Sequence, residues 1–199
     1  MNTKKRINAR MIAVVGVLTA VAVVLQYLEI SIPIVPSFLK LDFSDLPALL
    51  GAFAFGPLAG VLIQLLKNLI HLAVSQSGFV GELSNFLLGA TFVLVAGLIY
   101  QHKKTKVNAL LAGVFGAAAM ALVSVPLNYF VIYPLYYSVL GFPEQAVLGM
   151  YQAILPSVGN MLEALLIFNL PFTLVKGLIS VAVSMLIYKP LSPLFKGKR

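Results

Sequence analysis

Polar side chains that could bind a small molecule occur inside apolar stretches of this sequence. Lys176 stands within residues 169–188, a stretch that is otherwise almost wholly apolar. Asn169 lies seven residues earlier, on the same face of a helix, and its amide can both donate and accept hydrogen bonds. This spacing predicts an ammonium group and an amide that face one pocket and donate hydrogen bonds to a ligand there. The alternative is a structural Lys176 that pairs with Glu163 or with a main-chain carbonyl.

Other polar residues are spread over several apolar stretches and favour the same pocket. A charged side chain at the centre of a bilayer costs about 2.5–3.5 kcal/mol, so such groups face one another or a cavity rather than lipid. We therefore expect a ligand pocket in the outer half of the membrane, with the candidates Lys67, Asn68, Glu82, Asn85, Asn128, Asn160, Glu163, Asn169 and Lys176. His71 has no histidine or cysteine near it in the sequence, so we expect a packing histidine and no metal site.

The composition places these residues in a membrane protein. Hydrophobic residues make up 60% of the 199 residues and charged residues only 10%, whereas an ordinary soluble domain is about a quarter charged. Long apolar stretches recur along the whole chain, which predicts one transmembrane domain over residues 1–199. The chain contains no cysteine, which excludes disulfides, thiol nucleophiles and thiolate metal sites.

The basic residues predict the topology. Most of the 14 lysines and arginines fall in three clusters, at the N-terminus, around residues 103–106 and at the C-terminus. These clusters flank apolar stretches, as the positive-inside rule requires of cytoplasmic segments, and both termini are therefore expected in the cytoplasm. The net charge of +8 is therefore explained by the basic residues of the cytoplasmic segments. Nucleic-acid binding is not expected, because it would require a basic groove with interleaved aromatic residues.

The apolar stretches predict an all-α integral membrane protein with six transmembrane helices. The spans are Ala9–Leu28, Leu46–Phe55, Pro57–Val74, Leu83–Tyr100, Val107 to about Tyr137, and about Ser157 to Tyr188. The second span is short, since ten residues rise only about 15 Å against a hydrocarbon core of about 30 Å. If residues 46–74 formed one long helix instead, the chain would cross five times and the loop at 103–106 would lie opposite the N-terminus.

The outer loop of residues 29–45 is too long for a simple connection. It combines apolar and charged side chains, and its candidate ligand contacts are Leu39, Lys40, Leu41, Asp42 and Asp45. Loops of this length are commonly lids or binding segments, which predicts a flap that closes over a ligand. The alternative is a loop that lies on the lipid headgroups. Tyr129 at the outer end of the fifth span belongs either to an aromatic belt or to the wall that packs against a flat ligand.

Small residues form a stripe on the first predicted helix, at Ala9, Ala13, Gly16 and Ala20. Their spacing of four, three and four residues keeps them within one narrow face of the helix. Such a stripe lets another helix approach closely, so we expect a docking surface for a partner protein. Packing inside the protein is the alternative.

Several motifs of enzymes and ATPases are missing from the sequence. It contains no phosphate loop of the form G-x-x-x-x-G-K-[ST], no H-E-x-x-H and no G-x-S-x-G. Binding of ATP by that route and hydrolase chemistry are therefore not expected, and we predict that the chain is not an enzyme.

Four segments resemble a known transporter family. They read LDFSDLPALLGAFAFGPLAG (41–60), GELSNFLLGA (81–90), SVPLNYFVIYPLYY (124–137) and FNLPFTLVKGLI (168–179). Over nearly the whole chain the sequence is similar to the riboflavin-specific S components of energy-coupling-factor (ECF) transporters. The resemblance implies six transmembrane helices in a bacterial cytoplasmic membrane. It also implies capture of riboflavin near the outer surface as the transported ligand, without a cofactor.

The resemblance further implies the partners of the chain. S components dock onto a membrane T subunit that two ATPase subunits drive, through an A-x-x-x-A motif on the first helix. Ala9 and Ala13 match that motif, and Gly16 with Ala20 repeats its spacing. Lysine and asparagine donors suit the ring carbonyls of riboflavin, while carboxylates can accept from its ribityl hydroxyls. The alternatives are an S component for another vitamin and, from a different class, a membrane-embedded enzyme.

Overall fold

The computed structural model describes residues 9–196 as a bundle of helices. Its helices are α1 (Ala9–Tyr27), α2 (Asp45–Phe55), α3 (Pro57–His71), α4 (Val80–His102), α5 (Lys106–Leu127), α6 (Tyr133–Leu140), α7 (Glu144–Gln152), α8 (Met161–Ala164) and α9 (Leu170–Lys196). A 3₁₀ turn, Leu72–Val74, extends α3. Two π-helical turns, Asn128–Ile132 and Leu165–Asn169, join α5 to α6 and α8 to α9 without a break.

Five helical segments in the described part of the chain are long and apolar enough to cross a membrane. They are Ala9–Tyr27, Pro57–Val74, Val80–His102, Lys106–Leu140 and Met161–Tyr188. A further apolar helix, α2, has 11 residues and is shorter than a full span. The prediction of a helical membrane protein is therefore confirmed, while the count of six spans and the cytoplasmic position of the termini stay predictions.

The break between the second and third predicted helices is confirmed. Gly56 adopts a φ of 105° between α2 and α3, a backbone conformation that side chains disfavour. Pro57 then occupies the first turn of α3, where its missing N–H costs no helical hydrogen bond. Residues 46–74 therefore form two helices rather than one long helix.

The outer loop of residues 29–45 contains a small hairpin that the sequence did not predict. Strands β1 (Ile30–Ser31) and β2 (Lys40–Leu41) pair antiparallel, with Ile30 opposite Leu41 and Ser31 opposite Lys40. An ion pair between the ammonium of Lys40 and the carboxylate of Glu29 links the two ends of the hairpin. These contacts give the loop a defined shape over the bundle.

The helices α4, α5 and α9 pack closely because small residues lie between them. A Cβ atom at Gly116 of α5 would lie only 2.7 Å from the main-chain oxygen of Phe92 on α4. The hydroxyl of Tyr100, near the end of α4, lies 2.9 Å from that of Tyr188 on α9, and the ring of Phe53 packs on Tyr100. Close contact of this kind is a main source of helix association in lipid.

The small-residue stripe of α1 lies on the outward face of that helix. Its members Ala9, Ala13, Gly16 and Ala20 are all exposed, and a Cβ at Gly16 would meet no described atom within 4 Å. The opposite face of α1 is buried and carries Val15, Thr19, Ala22 and Gln26. The stripe therefore does not pack inside this protein, and its role in docking stays a prediction.

Candidate functional site

Three buried side chains and the partly buried Lys176 form a charge-balanced cluster where the outer loop meets the bundle. The ammonium of Lys176 lies 2.8 Å from Asp42 Oδ2 and 3.8 Å from Asp45 Oδ2. The ammonium of Lys67 lies 2.9 Å from Asp45 Oδ1 and also donates to the hydroxyl of Ser44. Two lysines and two aspartates thus neutralise one another, which the low dielectric of a buried site requires.

The pairing of Lys176 with Glu163, one alternative drawn from the sequence, is wrong. Glu163 instead accepts a hydrogen bond from the main-chain N–H of Gly159, with 2.9 Å between nitrogen and Oε2. The partner of Lys176 is Asp42, 134 positions away in the sequence. A charge pair over such a distance in sequence depends on how the outer loop folds onto α9.

The loop carboxylate of Asp42 is held in its ionised form. Burial raises the pKa of this carboxyl, but the positive charges of Lys176 and Lys67 lower it more, so that its pKa lies well below the usual range. The main-chain N–H and the hydroxyl of Ser44 also donate to Asp42 Oδ1. Opposite charge and hydrogen bonding to the ionised form both favour the carboxylate, so Asp42 is an anionic partner for the ammonium of Lys176.

A small cavity lies beside the charge cluster and is here called the inner cavity. Its volume is about 120 Å³. The predicted site residues that line it are Leu39, Lys40, Asp45, Asn85, Asn128, Asn169 and Lys176. Phe172, Thr173 and Gly89 are among the other residues of its wall. Ammonium and amide groups thus face a space whose remaining wall is largely apolar.

A larger cavity, here called the outer cavity, shares a wall with the inner one. Its volume is about 670 Å³, and the predicted residues that line it are Lys40, Asp42, Glu82 and Asn85. Phe38, Gly81, Tyr133 and Tyr136 line both cavities together with Lys40 and Asn85. The two spaces are therefore neighbouring parts of one site. The larger volume lies within the range of about 300–1,000 Å³ that is typical of small-molecule pockets.

Two π-helical turns present amides to the inner cavity. Asn128 begins the first of these turns and Asn169 ends the second. A π-helical turn inserts an extra residue into a helix and is frequent at functional sites. Both turns lie in helices that the sequence predicts as regular spans, and no local pattern in the sequence marked them.

The amide of Asn169 belongs to a closed ring of hydrogen bonds. The hydroxyl of Tyr151 donates to Asn169 Oδ1 over 2.6 Å, and Asn169 Nδ2 donates to the hydroxyl of Tyr133 over 2.9 Å. The hydroxyls of Tyr133 and Tyr151 also contact each other. The ring joins α6, α7 and the second π-helical turn, so it fixes how Asn169 meets the cavity. One N–H of its amide remains for a ligand.

Aromatic residues that the sequence left out of the site surround the tip of the outer loop. The ring of Phe38 lies between those of Tyr133, Tyr136 and Tyr151, with centroid distances of 6.2, 6.4 and 5.7 Å. Two of these pairs are edge-to-face, an arrangement that aromatic quadrupoles favour. The several tyrosines after the first π-helical turn were the signal that could have identified these residues. An interfacial aromatic belt explains the same pattern, so the signal did not point to the site alone.

Glu82 in the outer cavity is held by three side chains. Its Oε1 lies 2.9 Å from Nδ1 of His71, and its Oε2 accepts from the hydroxyls of Ser75 and Ser77 over 2.7 and 3.1 Å. The ring of His71 also packs on Tyr27. Within residues 9–196 no group of three or more histidine, cysteine, aspartate or glutamate side chains could hold a metal ion.

Three predicted ligand contacts lie outside the walls of both cavities, at positions that have structural explanations. Asn160 caps α8 by accepting from the main-chain N–H of Glu163 over 2.9 Å. The carboxylate of Glu163 closes the same turn on Gly159. Tyr129 is 41% exposed on the surface of the bundle, where its ring packs edge-on against Phe130.

Three further predicted contacts support the site from behind. Lys67 is fully buried within the charge cluster and lines neither cavity. Asn68 accepts from the amide of Gln26 over 3.2 Å, which links α3 to α1. Leu41 pairs with Ile30 in the hairpin and lies outside both walls. These residues hold the elements that carry the cavity walls.

Comparisons with known proteins agree over nearly the whole chain. The family model for the substrate-specific component of ECF transporters matches residues 10–188. The riboflavin transporter RibU of Staphylococcus aureus (strain TCH60) is 33% identical and aligns over 98% of this chain and 99% of its own. The riboflavin transporter FmnP of Bacillus subtilis (strain 168) is 29% identical over 96% and 97% of the two chains. A solved structure of the S component of a bacterial ECF transporter superposes with a TM-score of 0.73, at 34% identity over 96% of this chain and 98% of that one.

Proposed function

Since the chain belongs to the family of substrate-specific components of ECF transporters, we propose that it captures riboflavin and delivers it through ATP-driven partner subunits. One observation carries the choice of ligand: relatives that match over nearly their full length are riboflavin transporters. Those relatives are transporters rather than enzymes, which leaves the alternative of a membrane-embedded enzyme without support. Riboflavin is the transported ligand in this proposal, and no cofactor is involved.

The chemistry of the two cavities supports a flavin as ligand. Lys176, Asn128 and Asn85 offer hydrogen-bond donors to the carbonyl oxygens of a ring system. The rings of Phe38 and Tyr136 provide flat apolar surface for its face. We therefore assign the ring system to the inner cavity and the wall shared by the two cavities.

The outer cavity suits the polyhydroxyl chain of riboflavin. The carboxylates of Asp42 and Glu82 line it and can accept from hydroxyl groups. Each carboxylate already has a cationic or hydroxyl partner, and each still has lone pairs for a ligand. In this arrangement the polyhydroxyl chain of riboflavin points toward the outer surface.

We assign the outer loop of residues 29–45 the role of a lid. Phe38, Leu39 and Lys40 of this loop line the inner cavity, and Asp42 ties the loop to α9 through Lys176. A ligand in the inner cavity would therefore lie beneath the loop. Opening would separate Phe38 from the three tyrosines around it and would give access from outside.

The chain forms a single transmembrane domain over residues 1–199 in this proposal. It crosses a bacterial cytoplasmic membrane six times, with α2 as a short second span and with both termini in the cytoplasm. Five long apolar helices together with α2 support this count, and the basic clusters support the orientation. The bacterial relatives support the location.

The exposed stripe of α1 is the proposed docking surface for the membrane T subunit, which two ATPase subunits drive. Ala9, Ala13, Gly16 and Ala20 leave a shallow face on which a partner helix could lie. Helices in lipid associate through such close contact, because there is no hydrophobic effect between them to exploit. The basic N-terminal residues that precede the stripe lie outside the described residues.

Binding without turnover tests the proposed function. The chain, purified alone in detergent, should quench the fluorescence of riboflavin stoichiometrically and release it unchanged, whereas thiamin at the same concentration should not compete. In liposomes the chain alone should drive no accumulation, and accumulation should begin when the T and ATPase subunits and ATP are added. Uphill uptake by the isolated chain would contradict the proposal.

A further inference from the structure

Gln64 contacts the charge cluster through Asp45 although it carries no charge itself. This residue of α3 is completely buried, and its Nε2 donates to Asp45 Oδ1 over 2.9 Å. Its own Oε1 has no hydrogen-bond partner within residues 9–196. A buried carbonyl without a partner is unfavourable, so the position of this amide calls for a functional reason.

The space for the amide of Gln64 exists because residue 89 is glycine. A Cβ atom at Gly89 of α4 would lie 2.6 Å from Cδ and Oε1 and 2.7 Å from Nε2 of Gln64. All three distances are too short for contact between atoms that are not bonded. Gly89 also lines the inner cavity. The backbone of α4 therefore limits how the amide can turn and directs its N–H groups toward Asp45.

The direction of the Asp45 carboxylate decides what Lys176 can do. Asp45 Oδ1 accepts from both Gln64 and Lys67, each over 2.9 Å. The other oxygen, Oδ2, stays 3.8 Å from the ammonium of Lys176, which is longer than a hydrogen bond. Of the three N–H groups of Lys176, one is given to Asp42. Because Lys176 also lines the inner cavity, the other two can be offered to a ligand there.

We propose that Gln64 is a positioning residue that keeps Lys176 available to the ligand. Its amide acts together with Lys67 to hold one oxygen of Asp45 on the α3 side, so that the other oxygen does not close onto Lys176. Without that amide the carboxylate could turn and accept from Lys176, and a ligand carbonyl would then have to compete with Asp45. The inference rests on the proposed function, because the ligand carbonyl in question belongs to riboflavin.

Two variants remove the amide from its position in different ways. Gln64→Met keeps the length of the side chain without its N–H groups, and Gly89→Ala places a methyl group where the amide lies. Each should raise the Kd for riboflavin about tenfold, because the ligand would lose one hydrogen bond from a charged donor. Asn108→Leu is the control, since it loses amide bonds to the oxygens of Ile99 and Lys103 far from both cavities. It should lower the melting temperature and leave the Kd unchanged.

A second background separates positioning from a merely structural role. If Gln64 acts through Lys176, then Gln64→Met should cause no further loss of affinity in the charge-balanced variant Lys176→Met/Asp42→Asn. An equal loss in both backgrounds would overturn the proposal, because it would show that Gln64 supports the fold and not the lysine. An unchanged Kd for both Gln64→Met and Gly89→Ala in the parent background would overturn it as well.

A crystal structure of the ligand-free variant gives a measurement that does not depend on riboflavin. In Gln64→Met, or in Gly89→Ala if the former does not fold, the distance from Lys176 Nζ to Asp45 Oδ2 should shorten from 3.8 Å to that of a hydrogen bond. A distance that stays the same would refute the positioning role. If the parent chain fails to bind riboflavin, the proposed function is wrong, and this distance still decides the question about Gln64.

Discussion

The variant Lys176→Met should lose both stability and ligand affinity, and the structure shows why the two effects must be separated. Removing the ammonium leaves the buried carboxylates of Asp42 and Asp45 with Lys67 as the only other cation of the cluster. Breaking a buried ion pair by removing one partner costs about 3–5 kcal/mol. That cost alone could unfold the protein, whatever Lys176 does for the ligand.

The double variant Lys176→Met/Asp42→Asn removes the charge pair as a whole. The remaining pair, Lys67 with Asp45, is still balanced, and an apolar replacement for a buried pair is often neutral for stability. The unfolding free energy should therefore stay close to that of the parent. Affinity should not recover, because a hydrogen bond from a charged donor contributes about 1.5–3 kcal/mol, or roughly ten- to a hundredfold in Kd.

Thermal unfolding and riboflavin titration of the same detergent preparation measure the two effects. The single variant Asp42→Asn completes the cycle and shows how much of the loss belongs to the loop carboxylate. A double variant that melts like the parent and also binds riboflavin with the affinity of the parent would refute the reasoning. Lys176 would then be a structural residue that anchors the outer loop to α9, and the ligand carbonyls would have other donors.

Three more predictions follow from the structure. Enlarging Ala13 or Gly16 to leucine should leave riboflavin binding intact and abolish both co-purification with the T subunit and uptake in cells; loss of riboflavin binding in the same preparation would contradict the separation of the stripe from the ligand site. Tyr151→Phe leaves Asn169 Oδ1 without its donor, so the unfolding free energy should fall by about 1–3 kcal/mol, and an unchanged melting temperature would contradict the hydrogen-bonded ring. Phe38→Ala removes the aromatic contacts of the lid, worth about 0.5–1.5 kcal/mol for each pair; riboflavin should therefore dissociate faster in stopped-flow measurements, and an unchanged rate would argue against the lid.

The class of the protein and most of its helices could be predicted from the sequence. Hydropathy is a sum over neighbouring residues, so the stretch 83–100 can be recognised as a membrane span wherever it lies in the fold. The break at Gly56 and Pro57 was equally local, because it depends on the backbone preferences of two adjacent residues. Spacing placed Asn169 and Lys176 on one helix face, and both line the inner cavity; that they bind the ligand stays a prediction. Each of these features needs no knowledge of any other helix.

The partners of the polar residues were decided by the tertiary structure. Lys176 was visible in the sequence as a misplaced charge, but its partner Asp42 lies 134 positions away and becomes its neighbour only when the outer loop folds onto α9. Asn160 and Glu163 have the same residue types as the true lining residues, yet they cap a helix end. Whether a polar group lines a cavity or binds a structural partner depends on packing between helices that are remote in sequence. Residue type does not distinguish the two cases, because the same types occur in both.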